Sequence, residues 1–244
     1  MQAQLYESLH RVEEKHWWFV ARREIVLTFI DKYRPKKQYA KILDTGCGTG
    51  MILKALTRYG KVWGIDKSAK AVAYSKAKVP EATILCASFP EEAPRESFDI
   101  ITVLDVLEHI QEDTKAIHKL KELLAPQGIL VITVPAFRFL WSAHDDMNEH
   151  KRRYTLEELR QKILESDLQV KKISYYNTLL FLPIACSKIL NRMVFHSSKA
   201  HYSDTPPPFW INLPLRTLFS LEKYLLPFTN FPFGLSLIVV AAKK

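Results

Sequence analysis

The sequence of 244 residues predicts an α/β fold built on a doubly wound parallel sheet. Two observations carry that prediction. Short apolar segments of strand character, at 41–44, 61–66, 82–86, 98–104 and 129–135, alternate with segments of helical spacing. The first of them runs into a cluster of glycines, KILDTGCGTG from Lys41 to Gly50, which reads as a strand, a tight turn and a helix start. In such sheets that junction holds ligands, because unpaired N–H groups open the helix and absent Cβ atoms let a ligand come close.

Composition narrows the class. Hydrophobic residues make up 48% and charged residues 25%, which suits a globular chain with a large core. Cys47, Cys86 and Cys186 are an odd count without close spacing, so neither a disulfide framework nor a CxxC metal site is expected and a reducing cytoplasm is the expected home. The segment MQAQLYESLHRVEEKHWWF carries Glu7, Glu13 and Glu14 where a secretory leader needs an apolar run. A net charge of +9 is compatible with nucleic acid, an anionic membrane or an acidic substrate, but the basic residues are dispersed and select none of them.

In chain order, residues 4–33 predict one long helix, with Leu5, Leu9, Val12, His16, Phe19, Arg23 and Val26 at three- and four-residue steps and no Pro or Gly before Pro35. Trp17, Trp18, Arg22 and Arg23 allow two readings. They are packing and solvated residues, or they belong to a lid over a ligand pocket, with arginine offering a fork to a carboxylate. The glycine loop is no phosphate loop, since Met51 and Ile52 follow Gly50 where Lys and Ser or Thr are needed, and its spacing is not GxGxxG. A helix at 51–59 and a second strand, KVWGID, follow; Asp66 at its end can accept from two ribose hydroxyls or cap the next helix, a role open to Ser68 as well. ATILC gives a third strand. FDIITVL, nearly all apolar, gives a central one buried on both faces and leads into DVLEHI. A helix at 114–124, a turn at Gln127 and Gly128, and a buried strand ended by Pro135 come next.

The string DTGCGTG resembles motif I of the class I S-adenosylmethionine (SAM) dependent methyltransferases, and FDxxxxxDVLEHI, at the expected distance downstream, resembles a second motif of that family. The stretch PAFRFLWSAHDDMNEHKRRYT, with WWFxxRR, is similar to its type 11-like branch. The resemblance implies a Rossmann-like sheet of seven mostly parallel strands in the order 3-2-1-4-5-7-6, the seventh antiparallel. It implies SAM as cofactor and S-adenosylhomocysteine as product. By that resemblance Asp44, Gly46, Cys47, Gly48 and Gly50 would hold the amino-acid end, Asp66, Lys67 and Ser68 the ribose and adenine side, and Leu104, Asp105, Val106 and His109 the cofactor's border; in the lid reading Trp18 would shield SAM and Arg22 or Arg23 meet its carboxylate. Many members carry Asp where Cys86 stands, so either the backbone at Ala87 and Ser88 reads the adenine or that contact is absent. Cys86 reads as a buried thiol.

From Ala136 to Tyr154 the chain is polar and rich in His, Asp, Arg and aromatics, and it leaves the fifth strand on the ligand side. It is read as a loop. Trp141, His144, Asp145, Arg153 and Tyr154 are its candidate substrate contacts, and His144, His150 and His109 its candidate general bases. No metal is expected, since His144 and His150 are six apart on a loop and methyl transfer from SAM needs none. Thr155 and Glu158 form a capping box for a helix at 156–166, and 168–176 and 235–242 give the last two strands.

Between those strands lie two apolar runs broken by Pro183, Lys188, Asn191 and Arg192, and by Pro214, Arg216, Glu222 and Lys223, with a polar link at 196–208. Two helices, paired with each other, are expected, serving as a lid over an apolar substrate, a membrane contact or a homodimer surface; the substrate lid is preferred. The organisation expected is a helical cap at 1–36, a SAM-binding core at 37–177, a helical insertion at 178–232 and the last core strand at 233–244. The function expected is methyl transfer to a small-molecule acceptor at O or N. A lipid or lipid-linked glycan acceptor at a membrane surface and a non-catalytic SAM-binding protein are the alternatives. A nucleic-acid substrate is not expected, because DVLE stands where an NPPY-like motif would follow the fourth strand.

Overall fold

In the computed structural model, residues 3–194 and 205–243 are described. Seven strands form one sheet in the order β3-β2-β1-β4-β5-β7-β6. They are β1 (Ala40–Thr45), β2 (Gly60–Asp66), β3 (Thr83–Cys86), β4 (Phe98–Leu104), β5 (Leu124–Pro135), β6 (Leu168–Tyr176) and β7 (Ser236–Lys243). Only β7 runs antiparallel to its neighbours β5 and β6. The order and the reversed last strand are those the sequence motifs imply. All seven residues of β4 are buried, as its unbroken apolar run requires at the centre of a sheet covered on both faces.

Alternate side chains on each strand feed two cores. Ile42 and Ile100 face one, with Ile25 and Phe29 of α2 (Trp17–Tyr33), Leu53 of α3 (Met51–Leu56), Val72 of α4 (Ala69–Lys78) and Phe219 of α9 (Phe209–Leu225). Leu43 and Ile101 face the other, with Ile117 and Leu120 of α5 (Asp113–Leu123) and Leu159 and Ile163 of α7 (Leu156–Glu165). Each such fully buried aliphatic side chain contributes about 2 kcal/mol relative to exposure. Parallel strands then end together at one edge, and the cavity opens there.

Several sequence expectations are corrected. The long first helix is two: α1 (Ala3–Val12) and α2, separated at 13–16. His16 takes an extended conformation and its imidazole accepts from Trp18 N, while Asn212 of α9 accepts from Trp17 N at 2.8 Å. A tertiary contact therefore starts the second helix. The turn expected at Gln127 and Gly128 is a bulge inside β5, with Gln127 at φ +63°. The segment after β5 is no plain loop, since it contains α6 (Ala143–Met147), opened by a capping box of Ser142 and Asp145. Cys86 is exposed, not buried: it is the last residue of β3, a four-residue strand at the edge of the sheet.

The two helices expected before the last strand are α8 (Phe181–Val194) and α9. Most of the polar link between them, at 195–204, falls outside the described residues. Instead of pairing with α8, α9 lies along α2, joined by Arg216 and Lys223 to Glu24 at 3.1 and 2.8 Å. The fully buried Glu222 of α9 accepts from the N–H groups of Asn177, Thr178 and Leu179 at 2.7, 2.6 and 2.9 Å, tying that helix to the end of β6. No helix among the described residues is long and apolar enough to cross a membrane.

Candidate active site

A cavity of about 850 Å³ lies over the C-terminal ends of β1, β2 and β4, roofed by α1 and α2. Its floor is the glycine loop. Gly46 adopts φ +70° and a Cβ there would stand 2.4 Å from a methyl of Val106, so only glycine fits. Gly48, at φ +54°, has nothing within 4 Å of where a Cβ would lie, which leaves its backbone open to an approaching ligand. Two acids flank the loop. Asp44 is buried, accepts from Thr102 Oγ1 at 2.7 Å, and is pushed up to about 7 by burial. Asp66 accepts from Gly48 N at 3.0 Å, Ser68 N at 2.9 Å and the Tyr6 hydroxyl of α1 at 3.4 Å; burial raises its pKa as well. Ser68 caps α4 through Ala71 N, leaving Asp66 facing the cavity.

Beyond the loop, Asp105, the residue after β4, adopts φ +58° and is held by Thr133 Oγ1 at 3.1 Å and by the Arg22 guanidinium, which also lies 4.7 Å over the Trp18 ring. Trp18 and Arg22 therefore roof the cavity. Arg23 does not line it and faces Glu24 and Glu13. Lys67, Ala87, Ser88, Leu104, Val106 and Cys47 are in the wall; Gly50 is turned towards Ser75 and is not. The N–H groups of Ala87 and Ser88 are already engaged, by Asp66 O at 3.0 Å and Glu92 Oε2 at 2.8 Å, so neither is free to read a base.

The far end of the cavity is polar. His109, His144, His150, Arg153, Asn148 and Lys188 line it. Asp145 and Tyr154 stand behind that wall and Trp141 outside it. Asp145 is fully buried and accepts from Arg153 Nε at 2.8 Å and Nη2 at 3.0 Å and from the His150 ring at 2.9 Å. Burial opposes its ionisation, but the bonds from His150 and Arg153 outweigh this and hold the carboxyl well below the usual range. The Tyr154 hydroxyl donates to Asp113 at 2.8 Å and Trp141 Nε1 to Asp146 at 2.8 Å, so both are structural. Burial, then the neighbouring His150, pushes His109 down to about 4, and burial, then Arg153, lowers Lys188 to about 8.

Sequence reasoning missed Tyr6, Glu108, Asn148 and Lys188 as residues of the wall. For Lys188 a signal existed: a lone cation in the first apolar run needs a polar place to go.

The profile of a methyltransferase domain matches residues 17–173, most of the chain and all of the cavity floor. The chain belongs to the methyltransferase-domain family. The ubiquinone biosynthesis O-methyltransferase of Rhodopseudomonas palustris (strain HaA2) is 34% identical to it over 97 residues, 38% of this chain and 38% of that protein. The chain thus matches well under half the length of such curated relatives. Two solved structures share the methyltransferase fold across nearly the whole or most of the chain. The putative methyltransferase of Haloferax volcanii, solved with the Trm112 methyltransferase activator, aligns at TM-score 0.61 and 16% identity, covering 98% of this chain and 93% of that one. The N-methyltransferase NodS of Bradyrhizobium japonicum WM9, solved with S-adenosylhomocysteine, aligns at 0.52 and 18%, covering 64% and 77%.

Proposed function

We propose that this chain is a SAM-dependent methyltransferase that moves a methyl group to an oxygen or nitrogen of a small-molecule acceptor. The observation that supports this most is that one cavity joins the glycine loop and Asp66 to the polar cluster of His109, His144, His150, Arg153 and Lys188. The residues fit SAM. An acid at the end of β2 with cavity-facing lone pairs suits ribose hydroxyls, and Asp44 beside the open backbone of Gly48 suits the α-amino group. The related fold of NodS is solved with S-adenosylhomocysteine.

In this reading SAM lies with its methyl towards the polar end. The acceptor's lone pair attacks in line with the sulfonium, the S–CH₃ bond breaks, and its electron pair stays on sulfur. The protein supplies position and, for a hydroxyl, a base. His150, its Nδ1 side held by Asp145, presents the opposite nitrogen to the cavity; His144 and His109 are the further candidates. Residues 1–36 act as a cap and 178–232 as a substrate lid on a core of 37–177 and 233–244. Incubating the full chain with methyl-labelled SAM and a panel of hydroxyl and amine acceptors tests the reading. S-adenosylhomocysteine formed only with acceptor supports it; cofactor binding without turnover on any acceptor favours a non-catalytic SAM-binding protein.

A second reading, an acceptor in or on a lipid surface, is favoured by the apolar residues that α8, α9 and the turn after α9 leave exposed: Leu182, Leu190, Phe209, Trp210 and Phe228. Co-sedimentation with anionic vesicles separates the two, and a homodimer through that face would show as doubled mass in solution without lipid.

A further inference from the structure

Glu108 lies in the single 3-10 turn after β4, fully buried, and neither of its carboxylate oxygens has a hydrogen-bond partner among the described residues. A buried carboxyl with no donor is costly, and such groups are rarely left so without something that meets them. What faces it is two imidazoles. His150 Nε2 stands 3.9 Å from Glu108 Oε1, and its Nδ1 is committed to Asp145 at 2.9 Å. In the tautomer that donates from Nδ1 to Asp145, the Nε2 lone pair lies on the Glu108 side, the arrangement in which a carboxylate orients a metal-binding histidine. The His109 ring stands 4.8 Å from that of His150, nearly perpendicular to it. One donor atom from each of Glu108, His109 and His150 lies within 4.8 Å of the other two. Three groups that can each give a metal ion a lone pair therefore stand together at the polar end of the cavity.

We propose that Glu108, His109 and His150 bind a zinc ion at the polar end of the cavity. Two imidazoles and one carboxylate with an open fourth position is a zinc set, whereas magnesium and calcium take oxygen ligands. Ligand atoms on such an ion are roughly 3.4 Å apart, from bonds of about 2.1 Å, so the ion draws the three groups in by about an ångström. Asp145, fixed by Arg153, is the second partner that sets the His150 ring. Resting on the methyl-transfer reading, the ion's open position takes a hydroxyl acceptor and lowers its pKa. With zinc bound, His150 and His109 are ligands and no longer bases: the hydroxyl proton leaves to solvent, the oxygen lone pair forms the O–CH₃ bond, and the S–CH₃ electron pair stays on sulfur.

The test is zinc uptake by the full chain with the exposed Cys86 and Cys186 replaced by Ser, stripped with chelator, titrated with Zn²⁺ alone and counted by metal analysis. Co²⁺ substitution gives a second readout through its visible absorption. One ion per chain is expected, with affinity reduced at least 100-fold in Glu108→Gln and His150→Gln and a rise in melting temperature on zinc addition that both variants lose. If Glu108→Gln fails to fold, His109→Gln, at a half-buried site, serves in its place. No stoichiometric uptake, or uptake equal in wild type and variants, overturns the site. Binding of S-adenosylhomocysteine to the stripped protein is measured alongside: if it binds and zinc does not, this inference fails alone, and if it does not bind, the methyl-transfer reading fails.

Discussion

Asp66→Ala removes the group on which the proposed cofactor geometry leans most. In the folded chain its two oxygens accept from Gly48 N, Ser68 N and the Tyr6 hydroxyl, so of roughly four lone-pair positions on a carboxylate three are engaged, one of them only by a 3.4 Å contact. A ribose offering two hydroxyls takes the free position and displaces Tyr6. Hydrogen bonds to a charged acceptor are worth about 1.5–3 kcal/mol each. Losing two of them, less the small gain from not having to release Tyr6, weakens binding by about 3 kcal/mol, or roughly 150-fold. Calorimetric titration with S-adenosylhomocysteine reads that loss, with circular dichroism and melting showing that the variant is folded. Tyr6→Phe is the paired control: it removes the competitor and leaves the acceptor, so its affinity stays within about twofold of wild type or tightens. Asp66→Ala binding within about threefold of wild type would refute the reasoning, because no ribose contact at Asp66 would then exist.

Other consequences follow from buried acids. Glu222→Ala strips the acceptor from three backbone N–H groups at the end of β6, which should cost about 4 kcal/mol and lower the melting temperature by about 10 °C; a loss under 2 °C would mean that water replaces the carboxylate. Asp145→Asn breaks a buried pair with Arg153 and His150 and should cost about 3 kcal/mol in urea unfolding; an unchanged midpoint would contradict the network. Asp44 binds its proton up to about pH 7 when folded and only to about 4 when unfolded, so the folded state holds more protons in that window and Asp44's contribution to stability falls as pH rises through it. A bound α-amino cation needs the carboxylate. SAM affinity should therefore rise from pH 6 to 8 with proton release at the lower pH, seen as buffer-dependent heat; heat independent of buffer would contradict it.

The core sheet was legible because its strands obey local rules. Phe98 to Leu104 is apolar on both faces, and Thr155 with Glu158 spells its own helix start, so both elements fall where the sequence predicts them. The break between α1 and α2 was not, because neither Pro nor Gly marks it; Asn212, far along the chain, helps to set it. The glycine loop and Asp66 could be singled out in the sequence, since the loop joins β1 to α3 and Asp66 ends the next strand, β2, all within one short stretch of chain. The polar end could not. Glu222 and Lys188 read as interruptions of apolar runs, and only the fold shows that one ties α9 to β6 while the other reaches the cavity. Glu108 and His150 meet across a distance no sequence pattern records.

The most direct test is a crystal structure of the full chain with S-adenosylhomocysteine. Its ribose hydroxyls are expected on Asp66, its amino-acid end over Gly46 to Gly48, and its sulfur facing the cluster of His109, His144 and His150. A nucleoside bound anywhere else, or a glycine loop left empty in crystals grown with saturating ligand, would contradict that placement.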